Sequence, residues 1–526
     1  MPLVQEIANI SDLSGVSVGV VDLTGMAFGN AGYRDRLSEA RPDENTIYGM
    51  ASLSKSFASG LMGLLVEENR VQFDTPIKDV LPGFQRGERD PAINTTIEDL
   101  LSHRSGLPGA DGYWLLSRNV VAFKRHSVLP IINSLPAVAA PRTEFIYNNF
   151  GYELVGQAIE KLSGSRFSEY MTRLTHPLGM TRTFDTRIPD DIDNVAVPYG
   201  SLLNGRFHEH PIPLERPDGL FSAAGGMRSS VKDLLRFYRA MMEAGVSQLS
   251  PKSGVVSSLR NPVKQLDHIW KAMISLPYPA LREHSYALGW IRAELPAVLG
   301  VEGPAAWKPL VGKGLHSQLV LYHQGIIPGY TSFVALLPEK QSAVVVLANS
   351  QGLNDGTALI GSAVIESLLG KPASDLHHYA EAARAAYDEA STRLADTFKR
   401  LEKRRSTTTP TRPLKAYVGR YWNDQRSYFI DIRRRHGSLQ VSFMGGPDDT
   451  FELLPYSTDT FYWKLTHDEA ISRGRLTDFP DDYYLIGFDG DEPVLSWRYD
   501  SCFPGVFRKR DSALELRSLR RLMTQR

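Results

Sequence analysis

Residues 51–57 read Ala51-Ser52-Leu53-Ser54-Lys55-Ser56-Phe57 and run into the apolar stretch FASGLMGLLVEE at 57–68. That composition predicts a helix buried on most sides. The spacing S-x-x-K sets Ser52 and Lys55 nearly one turn apart at its start, so both fall on one face. A hydroxyl is a weak nucleophile until a neighbouring base takes its proton. Lys55 is placed to do so, and the unpaired N–H groups of the helix start lie close to Ser52.

S-x-x-K by itself carries little weight, because a second copy, Ser229-Ser230-Val231-Lys232, precedes another helical run. Its expected role is helix capping by Ser229 or Ser230. The case for Ser52 rests on two motifs later in the chain. Tyr147-Asn148-Asn149 is a Y-x-N triplet in a loop before the helix predicted from residue 152 to 162. His323-Gln324-Gly325 ends an apolar strand and is followed by Ile326-Ile327-Pro328-Gly329-Tyr330. A second Y-x-N, Tyr421-Trp422-Asn423, and the loop histidine His103 have expected roles in packing.

Outward from these motifs, residues 16–23 read as a strand leading into a hairpin through 26–33. Strands are predicted at 319–322, 332–337 and 343–347, and a helix at 355–369. A sheet assembled from both ends of this region, with helices packed on it, explains that order. Residues 374–405 are charged, alanine-rich and helical in character, and STTTPTRP at 406–413 reads as a linker. From 414 to 509 short alternating runs recur between turn signals, the pattern of a small antiparallel barrel or sandwich. A basic helix is predicted at 514–523.

The bulk properties narrow the function classes. The chain has 526 residues, 42% hydrophobic and 22% charged, with a formal net charge of +0. That balance lacks the basic footprint of a nucleic-acid binder. A single cysteine, Cys502, excludes an intrachain disulfide. No run approaches the roughly 18 apolar residues of a membrane span, and the first residues lack a secretory pattern, so a cytoplasmic location is expected. His208-Glu209-His210 and His377-His378 are the close histidine pairs, without H-E-x-x-H or paired cysteines, so neither metal nor cofactor is expected. Gly15-Val16-Ser17-Val18-Gly19 matches G-x-S-x-G. A nucleophile elbow needs a helix straight after the serine, whereas Ser17 sits inside a strand that enters a hairpin.

The ordered set of blocks resembles a known family. Residues 50–55, 101–107 (LSHRSGL), 147–152 (YNNFGY), 225–229 (GGMRS) and His323-Gln324-Gly325 with Gly329-Tyr330 are similar to the serine β-lactamase and penicillin-binding-protein-like hydrolases. The likeness is to the class C branch, which includes esterases, D-aminopeptidases and some acyltransferases, and it spans about 16–369. The resemblance implies an α+β (α/β sandwich) fold, an antiparallel sheet with flanking helices plus a helical subdomain. It implies a catalytic domain at 1–372, a helical connector and linker at 373–413, a lipocalin-like β-barrel domain at 414–510 and a tail at 511–526. Ser52 would attack an acyl carbon, and Lys55 and Tyr147 would share the general-base work. The backbone N–H groups of Ser52 and Ile326 would form the oxyanion hole beside Gly325, and Asn149 would orient the substrate.

Penicillin-recognising members carry lysine where this chain has His323. A histidine of pKa about 6.5 is only about a quarter cationic at pH 7, so it would hold a substrate carboxylate less firmly. The expectation is therefore a hydrolase or acyltransferase acting on an ester, thioester or amide of a small intracellular molecule through an acyl-Ser52 intermediate. Its partners would be that acyl substrate and, for transfer, an acceptor alcohol or amine, with no nucleic acid and no membrane. A D-amino-acid peptidase or amidase on the same machinery, and a non-catalytic module that binds an acyl ligand, are the alternatives.

Overall fold

Residues 343–348, AVVVLA, are apolar throughout because both faces of their strand are covered. Ala343, Val345 and Leu347 enter one core, and Val344, Val346 and Ala348 enter another. Alternate side chains of a strand point to opposite faces, so one strand supplies both. The computed structural model describes residues 1–249, 261–300, 309–407, 409–490, 494–500 and 504–509. Cys502 and the helix predicted at 514–523 lie outside the described residues.

The strands of the main sheet are β1 (Gly15–Asp22), β2 (Gly25–Gly32), β3 (Ile274–Ser275), β4 (His284–Tyr286), β5 (Ile291–Glu294), β6 (Leu319–Ile327), β7 (Tyr330–Leu337) and β8 (Ser342–Ala348). They form an eight-stranded sheet in the order β2-β1-β8-β7-β6-β5-β4-β3. Every pairing is antiparallel, and Val18 of β1 lies opposite Val346 of β8. The strand from the start of the chain thus closes against the last one, as the order of predicted elements required. Helices α1 (Pro2–Ile10), α5 (Gly356–Leu368) and α6 (His378–Arg404) cover one face. On the other face lie α2 (Ser54–Glu67), α3 (Asn149–Ser163) and α4 (Val231–Leu249), together with the helical middle of the chain. Among the described residues, no helix is long and apolar enough to cross a membrane.

Helix α2 is buried from Ser54 through Val66, which explains its near-uniform apolar composition. It starts three residues earlier than its composition indicates, after a 3-10 turn at Ala51–Leu53. Helix α3 also starts early. Asn148 caps it by accepting from the Gly151 N–H at 2.9 Å, so Asn149 is its first helical residue and not part of the preceding loop. Strand β6 extends beyond the predicted end at 322 to Ile327, and so carries His323-Gln324-Gly325 within the sheet.

Beyond α6 the alternating region is a closed barrel of eight antiparallel strands between Gly419 and Lys509, which decides between barrel and sandwich. Its interior is packed with aromatic rings, among them Phe443, Trp463, Tyr483 and Trp497. Arg475 lies inside with Asp449 as its ion-pair partner at 2.5 Å and Tyr483 OH as an acceptor at 2.8 Å.

The barrel docks on residues 110–121 of the α+β part. The Ala110 N–H donates to Asp500 at 2.6 Å, and Asn423 Nδ2 donates to Tyr113 OH at 2.8 Å. Tyr113 also stacks on Tyr428 at 4.4 Å between ring centres. Asn423 of the second Y-x-N is therefore structural, as expected, and its place is the seam between the two parts.

Candidate active site

Ser52 sits where three elements converge. Ala51, just before it, has φ +48°, a left-handed conformation uncommon for a non-glycine residue. The turn is held from several sides. Met50 N–H donates to Met227 O at 2.9 Å, Ser332 Oγ donates to Met50 O at 2.8 Å, and Ser54 Oγ donates to Ala51 O at 2.7 Å. Strand β6 presses on the same turn through Gly325. A Cβ there would come within 2.8 Å of both Ala51 Cβ and Met50 O, so glycine is required by close approach. Strain this well supported is typical of a functional turn.

The side chains then meet as the motifs predict. Tyr147 OH donates to Ser52 Oγ at 2.7 Å. Lys55 Nζ lies 3.2 Å from the same oxygen, 2.7 Å from Asn149 Oδ1 and 2.6 Å from Ala224 O. Three acceptors suit an ammonium, whereas complete burial opposes the charge. The balance, with some help to the charge from nearby Asp111, brings the Lys55 pKa down to about 7. Near neutral pH both forms are then populated. In the neutral form, two N–H bonds serve Asn149 and Ala224, and the lone pair faces Ser52 Oγ. Burial moves Tyr147 the other way, well above the ordinary phenol value, so it holds its proton.

Several supporting groups carry no signal in the sequence motifs. The Ala224 carbonyl comes from a π-helical turn, Ser222–Gly226, anchored where the Phe221 N–H donates to buried Glu153 at 2.7 Å. His103, expected only to pack a loop, lies with its ring 4.2 Å from the Tyr147 ring, and its Nδ1 accepts the Asn148 N–H at 3.0 Å. Asp99 binds Arg104 and Arg142, which lie on the segments leading away from His103 and towards Tyr147. Asp111 Oδ1 accepts from Asn149 Nδ2 and from Trp114 Nε1, both at 2.9 Å. No motif marks Asp111, which lies just past the loop ending at Gly109.

His323 departs from expectation. It is buried, its Nδ1 donates to the Gln324 carbonyl at 2.6 Å, and Tyr286 OH donates to its Nε2 at 2.9 Å. Burial, aided by Lys55, pushes its pKa down to about 3. The ring is neutral at pH 7 and both nitrogens are engaged, so it is not the fractional cation that an unperturbed histidine would be.

These groups open onto a cavity of about 430 Å³ lined by Ser52, Tyr147, Asn149, His323 and Ile326. Its walls are mainly aromatic and aliphatic, including Trp114, Phe221 and Tyr278. Leu476 of the barrel region reaches into the same cavity, so the barrel helps to shape it.

The other sequence candidates lie apart. Ser17 is internal to β1 and bonds to Tyr48 OH at 3.0 Å. Ser230 Oγ caps α4 through the Asp233 N–H, and Lys232 pairs with Glu44. Among the described residues, no three His, Cys, Asp or Glu side chains form a cluster able to hold a metal ion.

Comparison with known proteins gives the family and the fold. The unguisins hydrolase ungD of Aspergillus violaceofuscus is 29% identical over 446 residues, covering 80% of this chain and 74% of its own. Penicillin-binding protein 4* of Bacillus subtilis is 26% identical over 374 residues, 68% of this chain and 73% of its own. Among solved structures, the octameric penicillin-binding protein homologue from Pyrococcus abyssi superposes with a TM-score of 0.55 at 21% identity, covering 96% of this chain and 98% of that one. A class C β-lactamase from Rhodobacter sphaeroides superposes with a TM-score of 0.53 at 18% identity, covering 70% of this chain and 98% of that one. The profile of a domain of unknown function, DUF3471, matches residues 403–495. The profile described as Beta-lactamase matches residues 3–366, and the chain belongs to that family of serine hydrolases.

Proposed function

We propose that the protein cleaves an ester or amide through a covalent acyl-Ser52 intermediate. The observation that carries this reading is the position of Ser52 Oγ, 3.2 Å from Lys55 Nζ and 2.7 Å from Tyr147 OH, at the wall of a largely apolar cavity. Neutral Lys55 takes the Ser52 proton as Oγ bonds to the acyl carbon. The developing oxyanion is received by the backbone N–H groups of Ser52 and Ile326, and fixed donors of this kind are worth several kcal/mol. As the bond to the leaving group breaks, Tyr147 gives that group a proton and is recharged from Lys55. Water, or an acceptor alcohol or amine, then attacks the ester by the reverse relay.

The electrostatics of the cavity support a substrate without a carboxylate near the scissile bond. His323 is neutral and fully bonded, and no Lys or Arg among the described residues lines the cavity. Two relatives bear hydrolase and penicillin-binding names, which supports a hydrolytic reading of the site. Turnover of p-nitrophenyl esters tests the reading. A burst of p-nitrophenol close to one equivalent per chain is expected, and release without any covalent acyl-protein would contradict it.

A further inference from the structure

Among the described residues, Asp111 is the only carboxylate lining the cavity, and half of it is unused. Both protein donors, Asn149 Nδ2 and Trp114 Nε1, go to Oδ1. Oδ2 takes no hydrogen bond or ion pair among the described residues. The nearest cationic group is Lys55, which lies beyond Asn149 and makes no direct contact with Asp111. Asp500 of the barrel accepts from the neighbouring Ala110 N–H, and burial above all, with that carboxylate nearby, holds the Asp111 carboxyl above its ordinary range, so that a cationic partner would favour its ionised form. Aromatic rings stand beside this carboxylate in the cavity wall. Trp114 packs on Phe221 at 4.4 Å, and Tyr147 lines the same space.

A carboxylate with one open oxygen beside aromatic faces is the chemistry that receives an alkylammonium group. The carboxylate supplies a charge-assisted hydrogen bond, and the rings attract the cation through their quadrupoles. The described cavity wall holds no cation that would instead claim an anionic substrate group. Asp111 is held in place from two directions, by Asn149 on the Lys55 side and by the barrel at Ala110.

We infer that Asp111 Oδ2 is a specificity-determining contact for a primary or substituted ammonium group carried by the substrate on the portion lying along Asn149. This rests on the acyl-Ser52 reading for where the substrate lies, yet the two can fail separately. An amine there would be read by charge, in a cavity otherwise suited to apolar groups.

The test uses the whole protein and two series of p-nitrophenyl and phenylacetate esters. One series carries the variable group on the acyl chain and the other on the alcohol, with ammonium, methyl or carboxylate ends of equal length. In at least one series the ammonium ester should exceed its methyl partner in kcat/KM by about tenfold or more, and the carboxylate ester should be the poorest. Asp111→Asn keeps an oxygen for Asn149 and Trp114 and should bring the ammonium-to-methyl ratio close to one. A wild-type protein indifferent to the ammonium in both series, or a preference that survives in Asp111→Asn, overturns the inference. Calorimetric titration with benzylammonium chloride against benzyl alcohol reads the same contact without turnover. Tighter binding of the ammonium by wild type supports the contact, and equal binding sinks it. A burst with the methyl esters leaves the acyl-serine chemistry standing whichever way Asp111 is decided.

Discussion

Ser117, in the α+β part, donates both its backbone N–H, at 2.9 Å, and its hydroxyl, at 2.7 Å, to Asp449 of the barrel. Asp449 is in turn the ion-pair partner of buried Arg475 at 2.5 Å. The barrel is thereby fixed to the segment that carries Asp111 and Trp114 into the cavity, and Leu476, next to Arg475 in the chain, enters the cavity wall. Removing one member of a buried pair leaves the other charge uncompensated, at a cost of about 3 kcal/mol or more. Asp449→Ala should lower the unfolding free energy by that amount in urea titration and raise KM more than it lowers kcat. Unchanged stability together with unchanged KM would show that the barrel neither braces this segment nor shapes the cavity.

The proposed mechanism makes Lys55 the group that sets the pH dependence. Burial lowers its pKa to about 7, and the proton-accepting form is the neutral amine present above that value. For an uncharged ester, kcat/KM should therefore rise with pH through a midpoint near 7 and fall about tenfold per unit below it. Lys55→Arg, permanently charged, should lose about a thousandfold or more at every pH. A profile flat from acid to alkaline conditions would remove Lys55 as the titrating base.

Tyr147 is the expected proton carrier to the leaving group. Tyr147→Phe keeps the ring against His103 and removes only the hydroxyl that meets Ser52. A loss of about 100-fold or more in kcat is predicted, smaller for p-nitrophenyl esters than for amides, because nitrophenolate leaves without a proton. Equal losses on the two substrate classes would contradict this role.

Gly325 tests the fit of β6 against the Ser52 turn. The Cβ of Gly325→Ala would strike Met50 O and Ala51 Cβ at 2.8 Å, which are backbone or backbone-near atoms unable to rotate away. Overpacking of this kind costs about 1–3 kcal/mol. The variant should lose turnover by about tenfold or more while still folding. Wild-type kinetics would show that the turn tolerates displacement.

Much of this architecture is legible in the sequence. S-x-x-K and Y-x-N at two helix starts, and H-x-G towards the end of an apolar strand, bring Ser52, Lys55, Tyr147, Asn149, His323 and Gly325 to one place. Burial of both sheet faces writes itself into residues 343–348 as an unbroken apolar run. The hidden features depend on tertiary contact. His323 is neutral because it is buried, and Tyr286, 37 residues earlier, meets its Nε2. Ala224 contributes a carbonyl that any residue could supply. Asp111 is an ordinary loop aspartate until Asn149 and Trp114 turn to face it. The start of α3 is invisible in composition because Asn148, not a residue nearer Tyr152, accepts the capping N–H.

Ser52 is the residue proposed to form the covalent bond. Intact-mass measurement and peptide mapping after exposure to a fluorophosphonate read it directly. A single adduct on the peptide containing Ser52 is predicted, absent in Ser52→Ala and retained in Ser229→Ala, whose hydroxyl is buried against Thr183. An adduct that persists in Ser52→Ala would contradict the account.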